Sequence, residues 1–553
     1  MEFLGLHYAI WIALILYFVG MLLMGWWSKR GIHSQEGYLL GNRQFGTPMM
    51  VMHAFGAGTH PGNVAGVMSE TVVSGASGIW VSWMWLFGTP FYWIIAPIVR
   101  RMRCLTLADF FQERFGKSAS VLYIIVAAAG MIVFLAGVLL ATTRTVQGMM
   151  GKTAAQQNEV WFFSILFAMT AVFMVYSYWG GIIAAIRTDM IQGLMIIALS
   201  FIAIPAALHL KEVGGLAAMR TTLAAQEADY LSLFDPKRFS WLTVLLLSIN
   251  APLTALAFPH LMSVCGAGRT EWQGRVGFTY GNILKRICTI GWAVLGLCWL
   301  VYLVKTGSPI HKDTAFGDSI RQLLSPALQG VMLACVMAAA MSSGDAVQVT
   351  VAGLFSQNIY RVFLNPQAGP EKLVRVTRII GVVIALLSLM AATLMRSSLV
   401  KTILDYFNIL SLVGISTAMG ILWWRMNTTG MFCSTISAVT TFMMTRYVLD
   451  CSRDITIGVP IVAGVAGGII GSLLTRAPKP ETIEKFFKKI YVPIGQEDKL
   501  DLPLDEAVPQ SKRLLSVAGL FIMKPSRQSW VGFVITLALC LACVLAMLAI
   551  LNL

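Results

Sequence analysis

Runs of apolar residues long enough to cross a lipid bilayer dominate this chain, and they decide what it can fold into. A helix spans the hydrocarbon core with about 20 residues, and about fourteen runs approach that length. They lie near 7–27, 46–70, 76–98, 119–145, 160–178, 184–207, 239–264, 281–304, 325–356, 375–395, 399–424, 429–448, 457–475 and 529–551. The chain is 57% hydrophobic and only 12% charged, against about 25% charged in soluble domains. An all-α polytopic membrane protein in a lipid surround follows. The net charge of +15 sits in short links between apolar runs, so it speaks to orientation and not to a nucleic-acid partner.

The same links set an expected topology. With the N-terminus outside the cell membrane, the links holding Lys29/Arg30/Arg43, Arg100/Arg101/Arg103/Arg114/Lys117, Arg269/Arg275 and Arg361/Lys372/Arg375 all face the cytoplasm, as the positive-inside rule asks. The outer link 208–238 also carries four basic residues, but it is long and contains acids, and long links count less. The first run ends in Lys29 and Arg30 rather than a small-residue cleavage site, so no cleavable signal is expected. The nine cysteines show no zinc spacing, and Cys540 and Cys543 read as packing residues. The polar region 476–528 is expected on the cytoplasmic side. There Ile483, Phe486, Phe487, Ile490 and Tyr491 form one stripe beside Lys485, Lys488 and Lys489. Such a helix lies in the interface or packs beneath the bundle.

Two apolar runs are interrupted. Ala54 to Gly66, AFGAGTHPGNVAG, holds three polar side chains, Thr59, His60 and Asn63, among glycines and a proline. Gly costs about 1 kcal/mol and Pro about 3 kcal/mol in a helix interior, and freed backbone groups in lipid cost more. A break at that depth implies a cavity or a bound solute. Asn250 to His260, NAPLTALAFPH, is a second. A pair of broken segments in matching positions points to a solute site between two repeats.

Polar side chains elsewhere in the runs are few. Ser342 and Ser343 adjoin on one run, and Asp345, three residues on from Ser342, shares its face. Hydroxyl and carbonyl oxygens suit a hard alkali cation, and an acid at membrane depth usually faces a water-filled path. The serines would otherwise bond back to their own helix or knit helices together. Asp189 marks either an ion route or an interfacial pair with Arg187. His60 and His260, one in each break, line a cavity or are packed. Trp80, Trp83 and Trp85 read as packing or interfacial residues.

At these positions the sequence resembles the sodium:solute symporters, over roughly residues 8–495. The resemblance rests on ordered motifs: GYLLGNRQFG (37–46), LTLADFFQERFG (105–116), YWGGIIAAIRTDMIQ (178–192), PHLMSV (259–264), MSSGDAVQVTVAGLFSQNIYRVFLNP (341–366) and EKFFKKIYVPIG (484–495). It implies a LeuT-like core of two inverted five-helix repeats within about fourteen transmembrane helices. The expected division is an extra helix and link (1–45), the core (46–424, repeats about 46–207 and 239–424), two accessory helices (425–475), the polar segment (476–528) and a last helix (529–553). Carried over by position, a sodium ion would take carbonyl oxygens from Gly56, Thr59 and Ala339 and hydroxyls from Ser342 and Ser343. Asp189 matches the family's acid near the sodium route, and Asp345 is a second acid for such a route. His60, Asn63, Ser82 and His260 are the expected solute contacts, with His260 near the inner aromatic gate of the sugar transporters. THPGN replaces the stretch that carries an Asn and an acid in those transporters, and Ser82 stands where another acid would be, so a sugar site of their kind is not supported.

The function implied is sodium-coupled symport of a small organic solute, a sugar, amino acid or small organic acid, by alternating access, from a monomer or weak oligomer. A solute sensor of the same fold and a proton-coupled transporter remain alternatives. An enzyme is not expected: no HExxH, GxSxG or paired acids at hydrolase spacing occur.

Overall fold

The computed structural model describes residues 2–3, 5–28, 35–151, 159–517 and 520–553. The expected basic pair Lys29/Arg30 lies outside them, as do the side chains that open the YWGG stretch. Helices dominate: α1 Tyr8–Ser28, α2 Thr47–Gly58, α3 Pro61–Ser74, α4 Tyr92–Arg101, α5 Leu107–Phe115, α6 Lys117–Met149, α7 Glu159–Phe201, α8 Trp241–Ala257, α9 Leu261–Gly266, α10 Glu271–Thr306, α11 Pro326–Leu354, α12 Pro370–Leu394, α13 Leu399–Leu422, α14 Thr428–Met443, α15 Arg453–Leu473, α16 Pro480–Tyr491 and α17 Arg527–Asn552. The strands are short pairs, such as β1 Arg513–Val517 with β2 Leu520–Met523. Among the described residues nine helical segments are long and apolar enough to cross a membrane.

Several expected runs take other forms, for identifiable reasons. Both interrupted runs split into half-helices, α2/α3 and α8/α9. The run 76–98 divides among short helical pieces and α4, with Pro90 in one of the pieces and Pro97 inside α4. Runs 160–178 and 184–207 are joined in α7, and the end of the second forms a separate short helix, Ala203–Leu208. The run 281–304 begins too late. Thr270 caps α10, with the Thr270 N–H donating to Gln273 Oε1 (2.9 Å) in a capping box, so the helix starts ten residues earlier.

The bundle is organised around α2 and α3. α2 packs against α7, α10 and α11, while α3 packs against α6, α10 and α13. The stripe on α16 is buried against the bundle: Phe486 meets Phe110 edge to face (ring centroids 5.4 Å apart), and Phe487 stacks on Trp424 at 4.9 Å. Of the two readings of this segment, the helix packed beneath the bundle is the observed one. Polar ties fasten that end. Arg101 forks onto Glu271 at 2.8 and 2.9 Å, and Lys489 meets Glu113 at 2.7 Å. The Arg103 guanidinium and the Gly495 N–H hold the Glu497 carboxyl below the usual range.

Candidate functional site

The first break falls at Thr59 and His60, whose backbones are extended (φ/ψ −120°/102° and −113°/164°). Pro61 then opens α3, where its missing N–H is no loss. The His60 N–H donates to Asn63 Oδ1 at 3.1 Å, so the Asn63 side chain caps the new half-helix. The Thr59 and His60 N–H groups of the break are thus both met within the chain, the first by the Gly56 carbonyl.

Around the end of α2 a polar ladder joins three helices. Ser343 Oγ on α11 donates to the Gly56 carbonyl at 3.1 Å, and the Thr59 N–H donates to the same oxygen at 3.0 Å. Ser342 Oγ donates to Asp189 Oδ1 on α7. The other carboxylate oxygen, Oδ2, lies 2.6 Å from His53 Nδ1 on α2. Gly56 is required by this approach: a Cβ there would overlap Ser342 Oγ and lie 3.2 Å from Asp189 Oδ1. His53, Thr59, Asp189, Ser342, Ser343 and Ala339 are all fully buried. The Thr59 hydroxyl has no hydrogen-bond partner among the described residues. Carbonyl, hydroxyl and carboxylate oxygens converging in a buried site are the donor set a hard alkali cation takes.

Asp345 is buried one turn along α11 from Ser342, near enough to the Tyr17 hydroxyl to interact with it electrostatically. The other expected residues spread more widely. The His60 ring sits edge-on to Phe134 (4.8 Å) and to Tyr406 (6.1 Å). Ser82 Oγ is 3.0 Å from Thr289 Oγ1, and its carbonyl accepts from Arg286 Nη1 at 3.1 Å, which places it in a helix contact behind the site. Trp80 and Trp83 donate to the Leu233 and Arg286 carbonyls at 2.7 and 3.1 Å, which is packing. Trp85 instead faces a cavity.

The second break lies at Phe258 to His260, between α8 and α9. Phe258 packs against both Trp85 and His260, ring centroids 5.5 and 4.6 Å apart. A cavity of about 50 Å³ lies between the two breaks, walled by Trp85, Phe134, Phe258, His260, Tyr406 and Lys285. Lys285, halfway along α10, donates to the Gly58 carbonyl at the end of α2. Sequence reasoning missed His53 and Lys285. The signals were present: His53 is three residues before Gly56 and so shares its face, and the capping box at Thr270 moves Lys285 from a helix end to a helix middle.

The description "Sodium:solute symporter family" matches residues 38–437. The chain belongs to the sodium:solute symporter family. It is 26% identical over 503 residues to the osmoregulated proline transporter OpuE of Bacillus subtilis (strain 168), covering 86% of this chain and 96% of that protein. It is 23% identical over 498 residues to the sodium/proline symporter of Escherichia coli (strain K12), covering 85% and 94%. A Na+-coupled sialic acid symporter, solved substrate-bound and outward-open, superposes with a TM-score of 0.73 at 18% identity, covering 85% of this chain and 98% of that one. The last likeness shows the fold. This family member is accordingly a sodium-coupled secondary transporter of a small organic solute, in a family of transporters and not of enzymes.

Proposed function

We propose that sodium binds where α2, α7 and α11 meet and that the solute binds in the cavity between the two breaks. The observation that carries this reading is the ladder itself: the Gly56 carbonyl and the Ser342, Ser343 and Asp189 side chains converge at a helix break inside the bundle. The Thr59 and Ala339 carbonyls would complete the cation's shell. His60 and His260 would meet the solute, with Ser82 and Asn63 supporting that wall from behind and from the cap. Asp189 and Asp345 would line the cation's way out.

In the proposed architecture residues 46–424 form two inverted repeats, about 46–207 and 239–424. The rest adds an N-terminal helix (1–45), accessory helices (425–475), a cytoplasmic segment (476–528) and a last helix (529–553), for about fourteen crossings with the N-terminus outside. Sodium would hold α2 to α11 in the outward-facing state, and rocking of the repeats would release both cargoes inward. The membrane potential favours this by about 2.3 kcal/mol per charge per 100 mV. The transporter would act as a monomer or weak oligomer.

The test is uptake of labelled L-proline, lactate and glucose by proteoliposomes in sodium or choline medium. Sodium should stimulate uptake of at least one solute, and Ser342→Ala with Ser343→Ala should abolish the stimulation. Uptake equal in the two media, or unchanged in the double variant, removes the reading. A proton-coupled variant is favoured by one observation, the titratable His53–Asp189 contact touching Ser342. It predicts that a protonophore stops uptake while sodium is held constant.

A further inference from the structure

Lys285 and Arg286 are consecutive, deeply buried cations halfway along α10, and among the described residues neither takes part in an ion pair. Arg286 turns away from the cavity toward the Ser82 carbonyl and Thr89 Oγ1. Lys285 faces it. One of the ammonium's three donors is used on the Gly58 carbonyl, the negative end of α2, and the others remain for a ligand. No acidic side chain is among the cavity's lining residues. The nearest carboxylate of the ladder, Asp189, already has one oxygen on His53 and the other on Ser342.

A buried charge without an opposite charge is expensive, so the ammonium form of Lys285 is favoured by a ligand that brings the missing negative charge. The remaining walls are mostly apolar, with the rings of Trp85, Phe134, Phe258 and Tyr406 beside the polar groups of Asn282, Tyr92 and His260. They suit a solute that is mainly apolar with one charged end better than one ringed by hydroxyls.

We propose that the solute is a small organic monocarboxylate whose carboxylate takes the Lys285 ammonium and whose apolar body lies among the aromatic rings. The proposal rests on the cavity between the breaks being the solute site. A sodium ion bound nearby adds to the positive charge, so an anionic solute and the cation favour each other's binding. An α-ammonium group, as in an amino acid, finds no carboxylate on the wall and is repelled by Lys285. A halide has the charge but leaves the aromatic walls unfilled.

The experiment is a thermal shift on the purified full-length protein in sodium medium, with matched probes: propionate against propionamide, lactate against lactamide, and L-proline, glucose and sodium iodide. Propionate or lactate should raise Tm in a saturable way, with an apparent Kd at least about tenfold below that of its amide, equivalent to about 1.4 kcal/mol. Lys285→Met should abolish the difference and Lys285→Arg should keep most of it. The proposal is overturned if no acid in the set binds, if an amide binds as well as its acid, if L-proline, glucose or iodide binds more tightly, or if Lys285→Met leaves the acid's affinity unchanged. The acid and amide arms need no variant, so a poorly folding Lys285→Met does not decide the outcome. Sodium alone, compared with choline, provides a separate readout on wild type and on the Ser342→Ala/Ser343→Ala variant. No sodium effect on wild type, or an undiminished one in the double variant, with the carboxylate preference intact, breaks the cation reading and leaves this one standing.

Discussion

Both helix breaks have a backbone carbonyl held by a hydroxyl, Gly56 by Ser343 and Ala257 by Tyr123, but the side chains around them differ. At the first, between α2 and α3, the freed backbone is held by polar groups: the Gly56 carbonyl by Ser343, the His60 N–H by Asn63, and the neighbouring Ser342 by Asp189 and His53. At the second, between α8 and α9, Phe258 and His260 stand against aromatic rings, and His260 Nδ1 has no hydrogen-bond partner among the described residues. The polar break is a place where geometry is tightly specified, because each buried partner left unpaired costs about 1–3 kcal/mol. The aromatic break can adapt its surface to a ligand. Under the proposed function, cation selectivity and solute fit would then fall on different halves of the site.

Asp189→Ala should give the largest effect that separates them. It leaves His53 Nδ1 and the Ser342 hydroxyl unpaired in a buried site, each at a cost of about 1–3 kcal/mol. Sodium-stimulated uptake should vanish and Tm should fall in a thermal melt. His260→Ala, made beside it, should cost less in Tm and leave the response to sodium alone in place. Equal losses in the two variants would mean that the breaks are not differently built.

Gly56→Ala comes next. The added Cβ overlaps Ser342 Oγ, and such overpacking costs about 1–3 kcal/mol. The sodium concentration for half-maximal uptake should rise while solute KM at saturating sodium changes little. On the other side, Phe258→Leu removes ring contacts with Trp85 and His260 worth about 0.5–1.5 kcal/mol each. Here solute KM should rise a few-fold with the sodium dependence unmoved. A shift in sodium dependence for Phe258→Leu would blur the division.

The sequence made one break easier to interpret than the other. Gly, Pro and three polar residues in a lipid-length run announced the first, and Ser342 and Ser343 announced its partner helix. Their meeting at Gly56 could be inferred only through the family resemblance, because no local pattern encodes a contact 287 positions apart. His53 was lost because a single histidine in an apolar helix has no periodic signature. Lys285 was lost because hydropathy sets a helix boundary where charges begin, whereas the Thr270 cap sets it at the first hydrogen-bonded turn. Asn63 was read as a solute contact from its polarity, yet three residues beyond His60 it is in register to cap the half-helix. The site's polar half was therefore legible as residue types in a break, and its aromatic half only once the rings were placed in space.

Thr59 offers the smallest effect and the finest test of where the polar half ends. Its carbonyl is the atom assigned to the cation, and its hydroxyl has no partner among the described residues. Replacing an unpaired buried hydroxyl by a group of the same shape is close to neutral. Thr59→Val keeps the β-branched shape, which suits the extended backbone at this position, and removes only the hydroxyl. Its sodium dependence should therefore stay within about twofold of wild type, a difference of about 0.4 kcal/mol. Ser343→Ala, which removes a hydroxyl already bonded to Gly56, should shift it more. If Thr59→Val weakens sodium activation as much as Ser343→Ala does, the hydroxyl is itself a cation ligand. The polar half would then reach one side chain further toward His60 and the solute cavity, and the two halves of the site would meet at that residue.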